Sequence, residues 1–156
     1  MKKTLILGIG NEILTDDGIG PRLVSELEKE KFTGTLHFQN AFLGGLEILE
    51  LIQGYQQVIF IDAIISLQGI PGTVYHFTPE DFQETLHLSN LHDANFLVAL
   101  ELGRKMGMHI PEDIHIIAIE IIEDRVFSNQ FSKEIEEMYP AILLEVTGIM
   151  NLLIKE

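Results

Sequence analysis

VIFIDAI, residues 58–64, is an apolar run carrying a single charge near its carboxyl end. Runs of this length without polar alternation are strands buried on both faces, the habit of parallel sheets. Two other stretches share the character: TLILGIG (4–10), which ends in glycines, and IHIIAIEII (114–122). Between the first two, Ile19, Leu23, Val24 and Leu27 recur at helical spacing, with Pro21 tolerated in the first turn. Gly34 then opens a second strand, in which Leu36 and Phe38 alternate with His37 and Gln39. Leu46, Leu49 and Ile52 suggest a short helix after the Gly44–Gly45 pair. Beyond the turn at Gly69, Pro71 and Gly72, TVYHF (73–77) reads as a strand that can run antiparallel at an edge.

Residues 78–91 look irregular. A helix is expected over about 90–106, with Leu97, Leu100 and Met106 among its core residues. The tail from Ser132 onward is helical, with Ile142, Val146, Ile149 and Leu153 on one stripe. Pro140 is expected to kink or restart that helix. Strands alternating with helices give an α/β fold: a mainly parallel, twisted sheet of about five strands, covered on both faces. In such sheets the functional crevice lies beyond the carboxyl ends of the strands.

The chain has 156 residues, 46% of them apolar, which is material for one domain spanning 1–156. No apolar run approaches the ~18–20 residues of a membrane span. The opening MKKTLILGIGNEIL has two lysines and a short apolar run, but it breaks at Gly8 and Gly10 and reads better as a buried strand than as a signal peptide. There is no cysteine, so no disulfide framework is suggested and the cytoplasm is the expected compartment. The formal charge of −14 argues against nucleic acid, whose phosphates need a dense basic surface. It suits a cationic ligand such as a metal ion, a basic partner segment, or simple solubility.

The polar residues at the strand ends carry the functional reading. In GIGNEILTDDGIG (8–20) the glycines invite a dinucleotide fingerprint, but the third required position is Ile13. Glu12, Asp16 and Asp17 also crowd the place where a pyrophosphate would sit. One of the aspartates is expected to cap the following helix, leaving the other free to face the crevice. Asp62 lies at the edge of the core, where an unpaired carboxylate is costly unless it has a partner or a metal. Of the six histidines, His87 and His92 flank the start of the 90–106 helix, and His92 sits at its entrance. One aspartate of the Asp16–Asp17 pair, with Asp62 and His92, would make an oxygen-rich mixed site for nickel, zinc or manganese, with coordination positions open to substrate. No GxSxG elbow or HExxH helix competes.

GIGNEILTDDGIG resembles the N-terminal signature of the [NiFe]-hydrogenase maturation endopeptidases, and IFIDAI followed by PGTVYHF resembles their second block. The order and spacing of elements agree along nearly the whole chain. The resemblance implies a three-layer α/β/α sandwich and a peptidase grouped with the aspartic-type endopeptidases. Its partner would be a [NiFe]-hydrogenase large-subunit precursor, whose C-terminal extension is removed after nickel insertion. The family's three metal-contacting positions fall on Asp17, Asp62 and the 87–92 stretch, there placed on His92 with His87 as the alternate. Nickel would arrive with the substrate, another divalent metal being possible in the resting protein. The resemblance also favours a monomer, with Asn11 shaping the first loop and Gly44 and Gly45 lining the cleft. Three rivals stand beside it. A nickel-binding delivery module could use the same ligands without proteolysis. A peptidyl-tRNA hydrolase-like enzyme shares the first strand's glycine motif but needs a basic surface. A receiver-type signalling domain would need a lysine at a late strand end.

Overall fold

The computed structural model describes residues 2–42, 47–82, 85–88 and 96–155. Among the described residues five strands form one sheet: β1 (Lys3–Ile9), β2 (Thr35–Ala41), β3 (Gln57–Ile64), β4 (Val74–Phe77) and β5 (Asp113–Glu120). Their order across the sheet is β2-β1-β3-β5-β4. β1 pairs in parallel with β2 on one side and β3 on the other, and β3 pairs in parallel with β5. β4 alone runs antiparallel, at the edge, in keeping with the turn before it.

Alternation along each strand divides the interior into two cores. Leu5, Leu7, Val58, Phe60, Ile114 and Ile116 face α2 (Glu47–Ile52) and α3 (Phe96–Lys105). Ile6, Ile59, Ile61, Ile117 and Ile119 face α1 (Ile19–Leu27) and α4 (Lys133–Ile154) on the other side. Every residue of β3 is buried, which is why VIFIDAI has no polar alternation. Burying one such large apolar side chain is worth about 1.5–3 kcal/mol, so the two faces together drive the fold. Phe60 anchors the first core edge-to-face on Phe96, their ring centroids 5.5 Å apart.

Two helices differ from expectation. α3 turns Phe96, Ala99, Leu100 and Gly103 inward, whereas Leu97 and Met106 are exposed. Gly103 is the reason, because an added Cβ there would lie 3.1 Å from Ile110, so the helix packs on its small-residue side. α4 neither stops nor restarts at Pro140, which lies inside it on the solvent side. There the missing N–H frees a carbonyl toward water, not toward the core. By length and composition α4 could cross a membrane, yet Ile135, Tyr139, Ile142, Val146, Met150 and Leu153 lie buried against the sheet. That spacing is the stripe of a helix laid on a core.

Candidate functional site

The sheet reverses its winding between β1 and β3, since β1 leads to β2 on one side and β3 stands on the other. Loops leaving the carboxyl ends of these two strands diverge there and open the crevice that α/β proteins use. Asp17 comes from the 3-10 turn Thr15–Gly18 after β1, and Asp62 from the end of β3. Glycines set the depth of the first loop. Gly10 has φ +151°, and a Cβ on it would stand 2.1 Å from the Asp17 carbonyl oxygen. A Cβ on Gly20 would lie 2.5 Å from the Ile61 carbonyl, so α1 sits directly on β3 only because that residue has no side chain. The glycines of the first motif thus serve close packing, not a pyrophosphate.

The carboxylates converge on an imidazole. His87 Nδ1 lies 2.7 Å from Asp62 Oδ1, and His87 Nε2 lies 3.4 Å from Asp17 Oδ2. Asp62 is fully buried and holds more than the ring. Its Oδ1 accepts from the Ala63 amide at 2.8 Å, and its Oδ2 accepts from Thr85 Oγ1 at 2.6 Å and the His87 amide at 3.2 Å. Asp17 Oδ2 accepts from the Asn11 amide at 2.9 Å, which ties the Asn11 loop to the site. Burial opposes the charged form of His87. The hydrogen bonds and negative charges of Asp17 and Asp62 outweigh it and push the pKa up to about 10. At neutral pH an imidazolium therefore bridges the two carboxylates. Among the described residues no group of three or more His, Asp and Glu side chains is arranged to hold a metal ion, because the ring itself takes the carboxylate lone pairs.

The structure accordingly brings together Asp17, Asp62 and His87. His92 lies outside the described residues, as do Gly44 and Gly45. Asp16, expected as a possible helix cap, plays another role, for Gly18 stands at the N-cap of α1 and no side chain caps the helix. Buried Asp16 accepts from the Ile122 and Glu123 amides at 3.2 and 3.0 Å, and from the Ser132 amide and hydroxyl at 2.7 and 2.8 Å. It therefore joins the first loop to the segment after β5 and to the start of α4. A cleft of about 360 Å³ opens along the same loop, lined by Gly10, Asn11, Glu12, Ile13, Pro21, Asn40, Ala41 and Phe42.

Two residues escape the sequence reading. Thr85 lies in a stretch without periodicity, so nothing local marks its hydroxyl as a partner of Asp62. Glu120 does carry a signal, because IAIEII interrupts an apolar run with one acid just as IFIDAI does. It is buried at the end of β5, two residues beyond the partner of Asp62, on the same face of the sheet. Its Oε1 accepts from the Ser66 amide and hydroxyl at 3.0 and 2.5 Å, and so fastens the turn after β3.

Similarity to known proteins agrees with this architecture. The E. coli hydrogenase maturating endopeptidase HybD superposes with a TM-score of 0.72 at 22% identity, over 95% of this chain and 91% of that one. The protease HycI of Thermococcus kodakarensis KOD1 gives 0.68 at 20%, over 99% and 94%. At such identities the likeness speaks for the fold. In sequence, the hydrogenase 2 maturation protease of Escherichia coli (strain K12) is 32% identical over 80 residues, 51% of this chain and 49% of that protein. The hydrogenase expression/formation protein HupD of Thiocapsa roseopersicina is 24% identical over 143 residues, 88% of this chain and 63% of that one. The chain thus spans about half the length of the first of these relatives and less than two thirds of the second. The family model of the hydrogenase maturation proteases, HycI, matches residues 21–149, and the chain belongs to that family.

Proposed function

We propose that this protein is an endopeptidase that removes the C-terminal extension of a [NiFe]-hydrogenase large-subunit precursor after nickel insertion, with the substrate's nickel as the recognition element. The observation that carries this reading is the convergence of two buried carboxylates, one from the turn after β1 and one from the end of β3, at the switch point of the sheet in a member of this family. Asp17 and Asp62 would approach the nickel from the protein side, and a histidine of the 87–92 stretch would complete the set. Held in this way, the metal would keep the scissile peptide beside the crevice, and orientation would supply much of the rate. The grouping with aspartic-type peptidases need not mean a dyad. Here an imidazole separates the two carboxylates, whereas a dyad shares one proton between adjacent acids. The chain has no thiolate with which to compete for a nickel ion held by sulfur ligands, which suits a metal that must stay with the substrate.

The histidine has two readings. Family resemblance puts the nickel contact on His92, and His87 then holds the carboxylates in the substrate-free protein. The place of His87 beside both carboxylates supports His87 itself as the ligand, its protons then giving way to the ion. His92→Ala abolishes processing under the first reading and His87→Ala under the second, so the inactive variant identifies the contact. The primary test is intact-mass analysis of a cognate precursor, nickel-loaded and nickel-free, after incubation with this protein. A C-terminal mass loss in the loaded sample alone is the expected result. Loss in both samples would refute nickel gating, and loss in neither, with loading verified, would favour a non-proteolytic nickel-binding module.

A further inference from the structure

On the other face of the sheet, two histidines meet across the edge pair of strands. His76 on β4 and His115 on β5 point to the side covered by α1 and α4, as do their neighbours Val74 and Ile117. His76 Nε2 lies 2.9 Å from His115 Nδ1, and the rings are tilted by 36°. The far nitrogen of His115, Nε2, lies 2.8 Å from Asp113 Oδ1. Asp113 is itself fixed, its Oδ2 accepting from Lys2 Nζ at 2.9 Å and Gln57 Nε2 at 2.8 Å. An ionised carboxylate can only accept, so His115 carries its proton on Nε2 and presents the Nδ1 lone pair to His76. A carboxylate behind an imidazole in this manner is the usual support of a metal-ligating histidine, since it fixes the tautomer and raises the basicity of the free nitrogen.

We propose that His76 and His115 form a metal site, a two-imidazole chelate for a Ni(II) or Cu(II) ion, separate from the Asp17–Asp62 centre. At 2.9 Å the two nitrogens are joined by a hydrogen bond, and they stand close enough for both to reach one ion once the proton between them is displaced. Imidazole nitrogens suit borderline ions such as Ni(II) and Cu(II). The two nitrogens now share one proton. On metal binding the His76 proton moves from Nε2 to Nδ1, so no net proton is released, and the exposed His76 ring turns to aim its lone pair at the ion. Among the described residues no third His, Asp or Glu joins the pair, so water completes the shell. The site also has a mechanical consequence. β4 is held in the sheet by β5 alone, and a metal bridging the two would staple this edge strand in place.

The test is two-dimensional amide NMR of the full chain with substoichiometric Cu(II), which broadens resonances near the bound ion. Broadening is expected at Tyr75, His76 and Phe77 and at Ile114, His115 and Ile116, unchanged by Asp62→Asn. Calorimetry with Ni(II) should show binding weakened about tenfold or more by His76→Gln, a change at an exposed edge residue that spares the core. Broadening confined to Asp17, Asp62 and their neighbours, or Ni(II) affinity unaltered by His76→Gln, would overturn the proposal. So would the absence of binding in the unsubstituted protein. Mg(II), which prefers oxygen ligands, serves as the negative control.

Discussion

Asp62 shows how much one carboxylate can hold. It receives the Thr85 hydroxyl, the Ala63 and His87 amides and the His87 ring, and is itself fully buried. Truncation strands these donors, so Asp62→Ala should lose about 3–5 kcal/mol, the scale for breaking a buried charge pair. Asp62→Asn keeps the shape and one of the two acceptor oxygens. It should fold, with a urea midpoint well above that of the alanine variant, yet fail in the precursor mass assay; wild-type processing by Asp62→Asn would remove the carboxylate from the mechanism. His87 gives the site a pH signature. Its pKa is about 10 in the folded protein, against an ordinary 6.5. A raised pKa means that the folded state binds the proton more tightly. The stabilisation is therefore fully present below pH 6.5 and is lost as pH rises through about 10. Thermal midpoints measured across that window should fall more steeply for the wild type than for His87→Gln, and parallel curves would contradict the imidazolium bridge. Of these residues the sequence marks Asp62 by its place at a strand end, while Asp17 and a histidine in the 87–92 stretch are singled out by the family resemblance. Which ring nitrogen meets which oxygen depends on a loop fold that no local pattern encodes.

Elements are legible where one physical requirement dominates. β1, β3 and β5 announce themselves because burial on both faces leaves no polar alternation, and β4 by the turn that precedes it. The inward face of α3 is less visible, since a buried glycine leaves no apolar signature while Leu97 and Met106 do, though they are exposed. Asp16 defeats the local rule for a different reason. A carboxylate before a helix ordinarily caps it, but this one bonds to residues more than a hundred positions later. It rests at the amino terminus of α4, where the helix dipole favours a negative charge. Asp16 is thus the tie between the first loop and the start of α4. Asp16→Ala leaves three amides and the Ser132 hydroxyl without their acceptor, and charge-assisted bonds of this kind are worth about 1.5–3 kcal/mol each at most. A loss of roughly 3 kcal/mol is expected by denaturant titration. Hydrogen exchange should quicken first at Ile122, Glu123 and Ser132. Uniform quickening over all strands would mean that Asp16 supports the whole fold and not this junction.

At the scale of the molecule, fold and charge divide the work of identification. A mostly parallel sheet with a crevice at its switch point is compatible with many chemistries, the peptidyl-tRNA hydrolase-like one included. Charge distinguishes them. Twenty-four acidic residues face ten basic ones, giving −14, and long-range repulsion of a polyanion follows from that sum. An enzyme acting on tRNA must neutralise phosphates with Lys and Arg, and its binding strengthens steeply as salt is lowered. Within the described structure Arg22 is committed to Glu136 at 3.1 Å and lies over the rings of Phe131 and Tyr139, and Lys2 is committed to Asp113 at 2.9 Å. Neither is free to meet a phosphate without giving up a partner. The protein should therefore show no measurable retention of tRNA in a filter or gel-shift assay even at about 10 mM salt, where the Debye length reaches about 30 Å and a basic patch would act most strongly. Retention at that salt, lost on raising it, would reveal a phosphate-binding surface and reopen the tRNA-directed reading. Its absence across the salt range counts against the tRNA-directed reading.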